Sequence, residues 1–325
     1  MRAIDVPAHE NRFVTSGVDS ANKQFVFSPK TLSIPDSDDE TFEVIECKPE
    51  SGDDTFFYQD ETPKERITIH FTAGYLKGDI AALTTPNNHV SVPYVIARNG
   101  NIYELFDPRL WSYHRGKGAL GGNGTGSKAS IGIELSNVGP LTLKGSELET
   151  SYAGDVYCTL DETEFYVETE EFRDHTYFAT HTDAQYNSLL LLLKYLTATF
   201  DIPYAFLPEP DRYTTSEGAA VFNGINTHIN SRTDGKWDIG PGFDWSRIAD
   251  GAEALVTSVP SSPDAGDSDG SEIQRYTVQS GDSLSGLAQK FNITVDALKS
   301  ANESKLKTWG TVQGFNAGEE IEIPN

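Results

Sequence analysis

Apolar and polar residues take turns along ITIHFTA (67–73). Its β-branched positions and two-residue period predict a strand with His70 near its C-terminal end. GDIAALTTP (78–86) changes to a short helical run that Pro86 stops. SVPYVIARNGNIYELF (91–106) is two apolar runs joined by Asn99-Gly100, the strongest short hairpin signal. SIGIEL (130–135) predicts another buried strand, preceded by the glycine-rich GKGALGGNGTGSK. DAQYNSLLLLLKYLTATF (183–200) predicts a helix with Thr182 as N-cap, ending ahead of Pro203. Its run of leucines predicts burial against a sheet. Together these elements predict an α/β sheet, in which strand C-termini commonly present functional groups.

The rest of the chain is less periodic. Residues 1–60 are acidic, with the run DSDDE at 36–40, and only TFEVIE (41–46) and TFFYQ (55–59) read as strands, around a turn at SGDD. This region is read as an extension docked on a main domain at 61–255. Residues 139–180, aromatic and acidic, are read as an inserted hairpin near the site. Ser, Pro, Asp and Gly dominate VTSVPSSPDAGDSDGSE (256–272), which predicts a flexible linker at 256–273. The last segment, 274–325, reads strand, helix, helix, strand: YTV and EIEI flank LSGLAQKF and VDALKSAN.

Composition narrows the function. A net charge of −24 excludes nucleic acid as a partner, since that needs basic patches against phosphate. No run of eighteen apolar residues is present to span a membrane. The first residues, MRAIDVPAHENRFVTSGVD, carry no apolar run like that of a secretory leader. Cys47 and Cys158 stand far apart, compatible with one disulfide or with two thiols.

Candidate chemistry concentrates in HINSRTDGKWDIGPGFDW (228–245). It sets His228, Lys236 and Asp238 ahead of a rigid IGPGF turn. His228 and Asp238 are too far apart for one helix face, where neighbours are three or four residues apart. A loop folded over something would bring them together, and a metal ion is one organiser. Zinc accepts imidazole nitrogen and carboxylate oxygen, and a catalytic zinc keeps three protein ligands. His70 is the best third ligand.

ITIHFTAG, SVPYVIARNGNIYEL, SYHRGKG, SIGIEL and THINSRTDGKWDIGPGFDW, in that order within residues 64–247, resemble the zinc-dependent N-acetylmuramoyl-L-alanine amidases. These are shared by phage endolysins, bacterial wall-recycling amidases and peptidoglycan recognition proteins. The resemblance implies a mixed central β-sheet flanked by helices, one Zn2+ per chain, and hydrolysis of the amide bond between N-acetylmuramic acid and L-alanine. It assigns the zinc ligands to His70, His228 and Asp238 and the catalytic carboxylate to Glu134. Lys236 matches a basic residue facing the developing oxyanion, and His114 and Tyr94 match positions lining the substrate groove. Read on its own, Glu134 has a second reading as a buried carboxylate that holds a zinc-bound histidine, with catalysis the favoured one, and Lys236 fits equally a solvated surface lysine.

YTVQSGDSLSGLAQKFNITVDALKSAN and the closing GEEIEIP resemble a LysM module, a small βααβ domain. Such modules bind N-acetylglucosamine-containing glycans, including peptidoglycan and chitin. Gly281, Asp282 and Ser283 form the first turn, which either exposes backbone groups to sugar N-acetyl groups, caps a helix, or does both. Trp309 either stacks on a sugar or fills the small core. Both resemblances make peptidoglycan the partner and the bacterial wall or periplasm the place of action, reached by lysis, on a particle, or by another export route. The alternative is a non-catalytic peptidoglycan-binding or wall-penetrating part of a phage or injection particle, docked through residues 1–60.

Overall fold

A computed structural model describes residues 1–249 except 36, 38, 39, 234 and 235. In the tail it describes 274–278, 287, 291, 298, 299, 301, 302, 305, 307–309, 312–314 and 320–323. Contacts divide the chain into two units, Met1–Val256 and Thr257–Asn325.

In the first unit, helix α1 (Val6–Ser16) starts with proline in its first turn and ends at Gly17, whose φ of 64° gives the left-handed cap. Strands β1 (Phe25–Ser33) and β2 (Thr41–Pro49) form a hairpin. Then come β3 (Arg66–Phe71), α2 (Leu76–Leu83), β4 (Tyr94–Ile96), β5 (Ile102–Glu104), α3 (Asn123–Lys128) and β6 (Ser130–Leu135). Five antiparallel strands follow: β7 (Pro140–Lys144), β8 (Glu147–Thr150), β9 (Val156–Thr159), β10 (Tyr166–Phe172) and β11 (His175–Ala179). Helix α4 (Asp183–Phe200), α5 (Glu217–Ala220), β12 (Ile225–Thr227) and α6 (Ser246–Ala249) complete it.

The central sheet has seven strands in the order β1-β2-β5-β4-β6-β3-β12. It is mixed: β6 runs parallel to β3 and β4, and β12 parallel to β3, whereas β4 and β5 form the antiparallel hairpin of the Asn99-Gly100 turn. Both faces are covered. On one face Ile67, Ile69, Tyr94, Ile131 and Ile133 pack with Leu189, Leu192, Leu193 and Leu196 of α4. Those leucines fall at i, i+3, i+4 and i+7, so the leucine run resolves into one helical stripe. Burying each contributes about 1.5–3 kcal/mol. Thr182 and Gln185 close a reciprocal capping box at the start of α4. The other face carries Val92, Val95, Ala97 and Tyr103 against Phe13 of α1 and Leu76 and Ile80 of α2.

Two expectations change here. Residues 1–60 are no appended extension: β2 pairs parallel with β5, so the hairpin widens the central sheet, while α1 covers it. TFFYQ is turn, with one β-bridge from Tyr58 to Trp111 and Phe56 buried in the core beside α1 and α2. Residues 139–180 hold not one hairpin but a second sheet of five strands, order β10-β11-β7-β8-β9, with its own core around Leu141, Leu148 and Tyr157. Cys47 and Cys158 are buried free thiols in different cores. Among the described residues no helix is long and apolar enough to cross a membrane.

In the second unit, β13 (Gln274–Thr277) pairs antiparallel with β16 (Glu320–Ile323) over a core of Val278, Leu287, Leu298, Ile321 and Ile323. Leu287 and Leu298 come from the two predicted helices. Asn302 ties the second of these to the last strand, exchanging hydrogen bonds with the Glu322 backbone at 2.7 Å. The long stretch before β16 forms a further hairpin, β14 (Lys307–Trp309) with β15 (Val312–Gly314). Gly281, Asp282, Ser283 and the linker lie outside the described residues.

Candidate metal centre

Strand register builds half of the site. His70 on β3 pairs with Glu134 on β6, and Glu134 with Val95 on β4, so these three side chains leave the same face of the sheet. Gly132, one strand step before Glu134 on that face, makes room beside them. A Cβ there would lie 2.5 Å from Val92 and 3.2 Å from the His114 ring.

The loop after β12 builds the other half. Thr227 and Asn230 cap a helical turn over His228–Ser231, which fixes His228 as the chain leaves the sheet. The Ile229 N–H donates to the Asp238 carbonyl at 2.9 Å, folding the chain back so that Asp238 faces His228. Three donor atoms then converge. His228 Nδ1 lies 2.9 Å and His70 Nδ1 3.1 Å from Asp238 Oδ2, and the two Nδ1 atoms are 3.0 Å apart. All three residues are buried.

The outer nitrogens set the tautomers. His228 Nε2 donates to the Arg115 carbonyl at 2.9 Å, which leaves Nδ1 as a bare lone pair. On the other side the chain of partners has one consistent direction. The Ser130 hydroxyl donates to the Gly126 carbonyl at 2.7 Å, so its oxygen accepts from His114 Nε2 at 2.9 Å. His114 Nδ1 in turn accepts from His70 Nε2 at 3.0 Å, and His70 Nδ1 is bare as well. Two lone pairs and a carboxylate oxygen thus face one another across about 3 Å of buried space, an arrangement that repels itself unless a cation sits among them. Tetrahedral ligands bound at about 2.0–2.1 Å stand roughly 3.3 Å apart, close to the spacing here. The residues fit a metal ion, and the trio is a group that could hold one.

Protonation agrees with that use. Burial pushes His70 down to about 4, against the opposing pull of the Asp238 carboxylate, so its ring is neutral. Burial acts to raise the Asp238 carboxyl, but its contacts with His228 and then His70 outweigh it and hold it below the ordinary range. Glu134 behaves oppositely. Burial first, then the charges of Asp238 and Asp79, push its carboxyl well above the usual range, with Lys236 pulling back. Its Oε2 is buried without a hydrogen-bond partner. Lys236, half-buried, stands two residues before Asp238 on the same loop.

The structure therefore brings together His70, His228, Asp238, Glu134, Lys236 and His114. Tyr94, expected in the substrate groove, is not among them. It pairs with Ile133, sits in the core under α4, and donates to Glu104 Oε2 at 2.9 Å on the opposite face of the sheet. The β4 residue on the site's face is Val95. Sequence reasoning missed Ser130 and the Arg115 carbonyl. Ser130 opens the very strand that holds Glu134, so its place four residues earlier was a usable signal; a backbone carbonyl leaves none.

A sequence model of the N-acetylmuramoyl-L-alanine amidase family matches residues 60–241, and one of the LysM domain matches residues 276–308. Among solved structures the chain is similar to the N-acetylmuramyl-L-alanine amidase AmiD of E. coli, seen with anhydro-N-acetylmuramic acid-L-Ala-D-gamma-Glu-L-Lys. That match has 22% identity over 59% of each chain and a TM-score of 0.39. AmpDh3 of Pseudomonas aeruginosa, in complex with an anhydromuramic pentapeptide, matches at 17% identity over 59% of this chain and 61% of its own, TM-score 0.37. The endolysin LysCS of Clostridium intestinale, an N-acetylmuramoyl-L-alanine amidase, matches at 14% over 60% and 89%, TM-score 0.32. The chain spans about three fifths of the length of AmiD and of AmpDh3. No curated protein matches it in sequence.

Proposed function

The chain belongs to the N-acetylmuramoyl-L-alanine amidase family, whose sequence model covers more than half of it, and from that premise we propose that it hydrolyses the amide between N-acetylmuramic acid and L-alanine in peptidoglycan. The observation that carries this reading is the convergence of His70 Nδ1, His228 Nδ1 and Asp238 Oδ2 beside Glu134, whose buried Oε2 has no hydrogen-bond partner. His70, His228 and Asp238 would hold one zinc ion. When bound, zinc supplies Lewis acidity and water acidified to about pKa 7.

The remaining work falls to the protein. Glu134 stands one strand spacing from His70, about 5 Å, within reach of a water at the centre. Its raised proton affinity suits a group that takes a proton from the attacking water and passes it to the leaving amine of L-alanine. Lys236 brings a positive charge to the side where the carbonyl oxygen gains negative charge. His114 keeps the His70 ring turned toward the centre by accepting from its Nε2. The LysM domain holds wall glycan, and tethering to the polymer raises the concentration of substrate around the catalytic unit.

The test is zinc content by elemental analysis, paired with incubation of purified peptidoglycan and mass spectrometry of the products. One zinc per chain and released peptides with a free L-alanine amine support the amidase. Bound zinc with every peptide still on its glycan would make the chain a receptor for the wall. Cleavage between sugars or inside the peptide would assign a different bond.

A further inference from the structure

The limb that carries Lys236 and Asp238 is held from outside the sheet that carries His70 and Glu134. Strands β10 and β11 turn over Arg173 and Asp174, with Phe172 opposite His175. Both turn residues have positive φ, 50° and 68°. Asparagine and glycine adopt this two-residue hairpin turn readily, and an arginine does so at a steric cost. A residue kept in such a conformation points to a role for its side chain.

The Arg173 guanidinium reaches the limb. One Nη donates to the Lys236 carbonyl. The other donates to the Arg232 carbonyl at 3.3 Å and the Thr215 hydroxyl oxygen at 3.2 Å. Contacts also run the other way: the Trp237 indole N–H donates to the Arg173 carbonyl at 3.3 Å, and the Trp237 ring meets His175 edge-on. Beyond Asp238, Phe178 of β11 packs so closely on Gly240 and Gly242 that a Cβ at either would lie 3.1 or 2.6 Å from its side chain. The hairpin therefore grips the chain on both sides of Asp238.

We propose that Arg173 is a positioning residue for the centre. By bridging the carbonyls of Arg232 and Lys236 it fixes the limb on which Asp238 and Lys236 stand against His70 and His228. The planar guanidinium suits the task because its donors form a rigid fork, whereas a lysine ammonium offers a single point. This inference rests on the zinc-amidase reading above and extends it to the inserted five-stranded sheet.

The experiment uses full-length Arg173→Ala and Arg173→Lys, with Leu148→Val as a control that loosens the core of the same sheet away from the limb. Three quantities are read: the zinc dissociation constant by competition with a chromophoric chelator, the visible spectrum of the cobalt-loaded protein, and the thermal midpoint. Arg173→Ala is expected to weaken zinc about ten- to a hundredfold and to change the cobalt spectrum. Arg173→Lys recovers part of the loss, and Leu148→Val lowers the midpoint with the cobalt spectrum unchanged. Wild-type zinc affinity and spectrum in Arg173→Ala would overturn the proposal. So would zinc losses in Arg173→Ala and Leu148→Val that simply follow their loss of thermal stability. Wild-type protein that holds zinc but releases no peptide overturns the amidase reading alone, and the affinities still decide the role of Arg173.

Discussion

His70 and Glu134 owe their positions to strands; His228, Lys236 and Asp238 owe theirs to a loop. On β3 and β6 the two side chains are register partners in the interior of a seven-stranded sheet with a core on each face. A slip of one residue would turn both toward α4, so this half is either right or absent. The loop half leaves the sheet after β12 and is sewn back by separate bonds: Ile229 to Asp238, the Thr215 hydroxyl to the Ile229 carbonyl, Arg173 to Lys236. Bonds of that kind are lost one at a time. The difference teaches that the loop half should weaken by degrees where the strand half fails at once.

The most severe way to break the loop half is to remove its ligand. Asp238→Ala leaves two bare imidazole nitrogens facing each other without the anion between them. Zinc content should fall to background, and peptide release should drop by more than the roughly hundredfold that loss of an outer partner costs. Binding of the protein to insoluble wall should persist, because the LysM domain lies in the other unit. Elemental analysis, product release and a pull-down with purified wall check the three parts, and retained lysis would count against the site.

Glu134→Gln probes the strand half with the shape preserved. The kcat for peptide release should fall by about 10² to 10⁴, the usual weight of a positioned acid–base group, with zinc content unchanged. The thermal midpoint should hold or rise, because the amide removes a carboxyl that is buried with one oxygen unpartnered. Zinc lost in parallel with activity would instead make Glu134 a holder of the ligands.

A smaller effect separates placement by strand from placement by partner. His114→Ala leaves His70 on its strand but takes away the acceptor of its Nε2 proton. Zinc affinity should weaken about ten- to a hundredfold, as for other outer partners, with the chelator competition as the measurement. Unchanged affinity would mean that the strand alone aims the His70 ring.

The same division explains what could be read from the sequence. β3, β6, the β4–β5 hairpin and α4 announce themselves because burial on a fixed face imposes a fixed period. The N-terminal hairpin was half hidden: Phe42 and Val44 alternate in β2, but β1 carries Pro29 and Lys30, which an edge strand tolerates and a strand pattern does not advertise. The second sheet was hidden more deeply, since β10 is an edge strand with no fully buried residue and so no alternation. The loop half of the site was legible as a candidate set of ligand types, and its assignment came from a resemblance. Nothing in spacing says that His228 and Asp238 meet, and nothing in Arg173, fifty-five residues before His228, says that it reaches Lys236.

Tyr94 gives the smallest effect and the sharpest use of register. It and Val95 are neighbours in sequence, and a motif match can settle on either, but alternation puts them on opposite faces. Tyr94→Phe removes the hydroxyl that donates to Glu104, while Lys30 still pairs with that carboxylate. The expected cost is about 1 kcal/mol of stability, read from denaturant unfolding, with kcat/KM for peptide release unchanged. A fall in kcat/KM at unaltered stability would bring substrate to the α4 side of the sheet. The placement of Glu134 and His70 by the opposite face would then lose its meaning, because one strand step would no longer separate the core from the site.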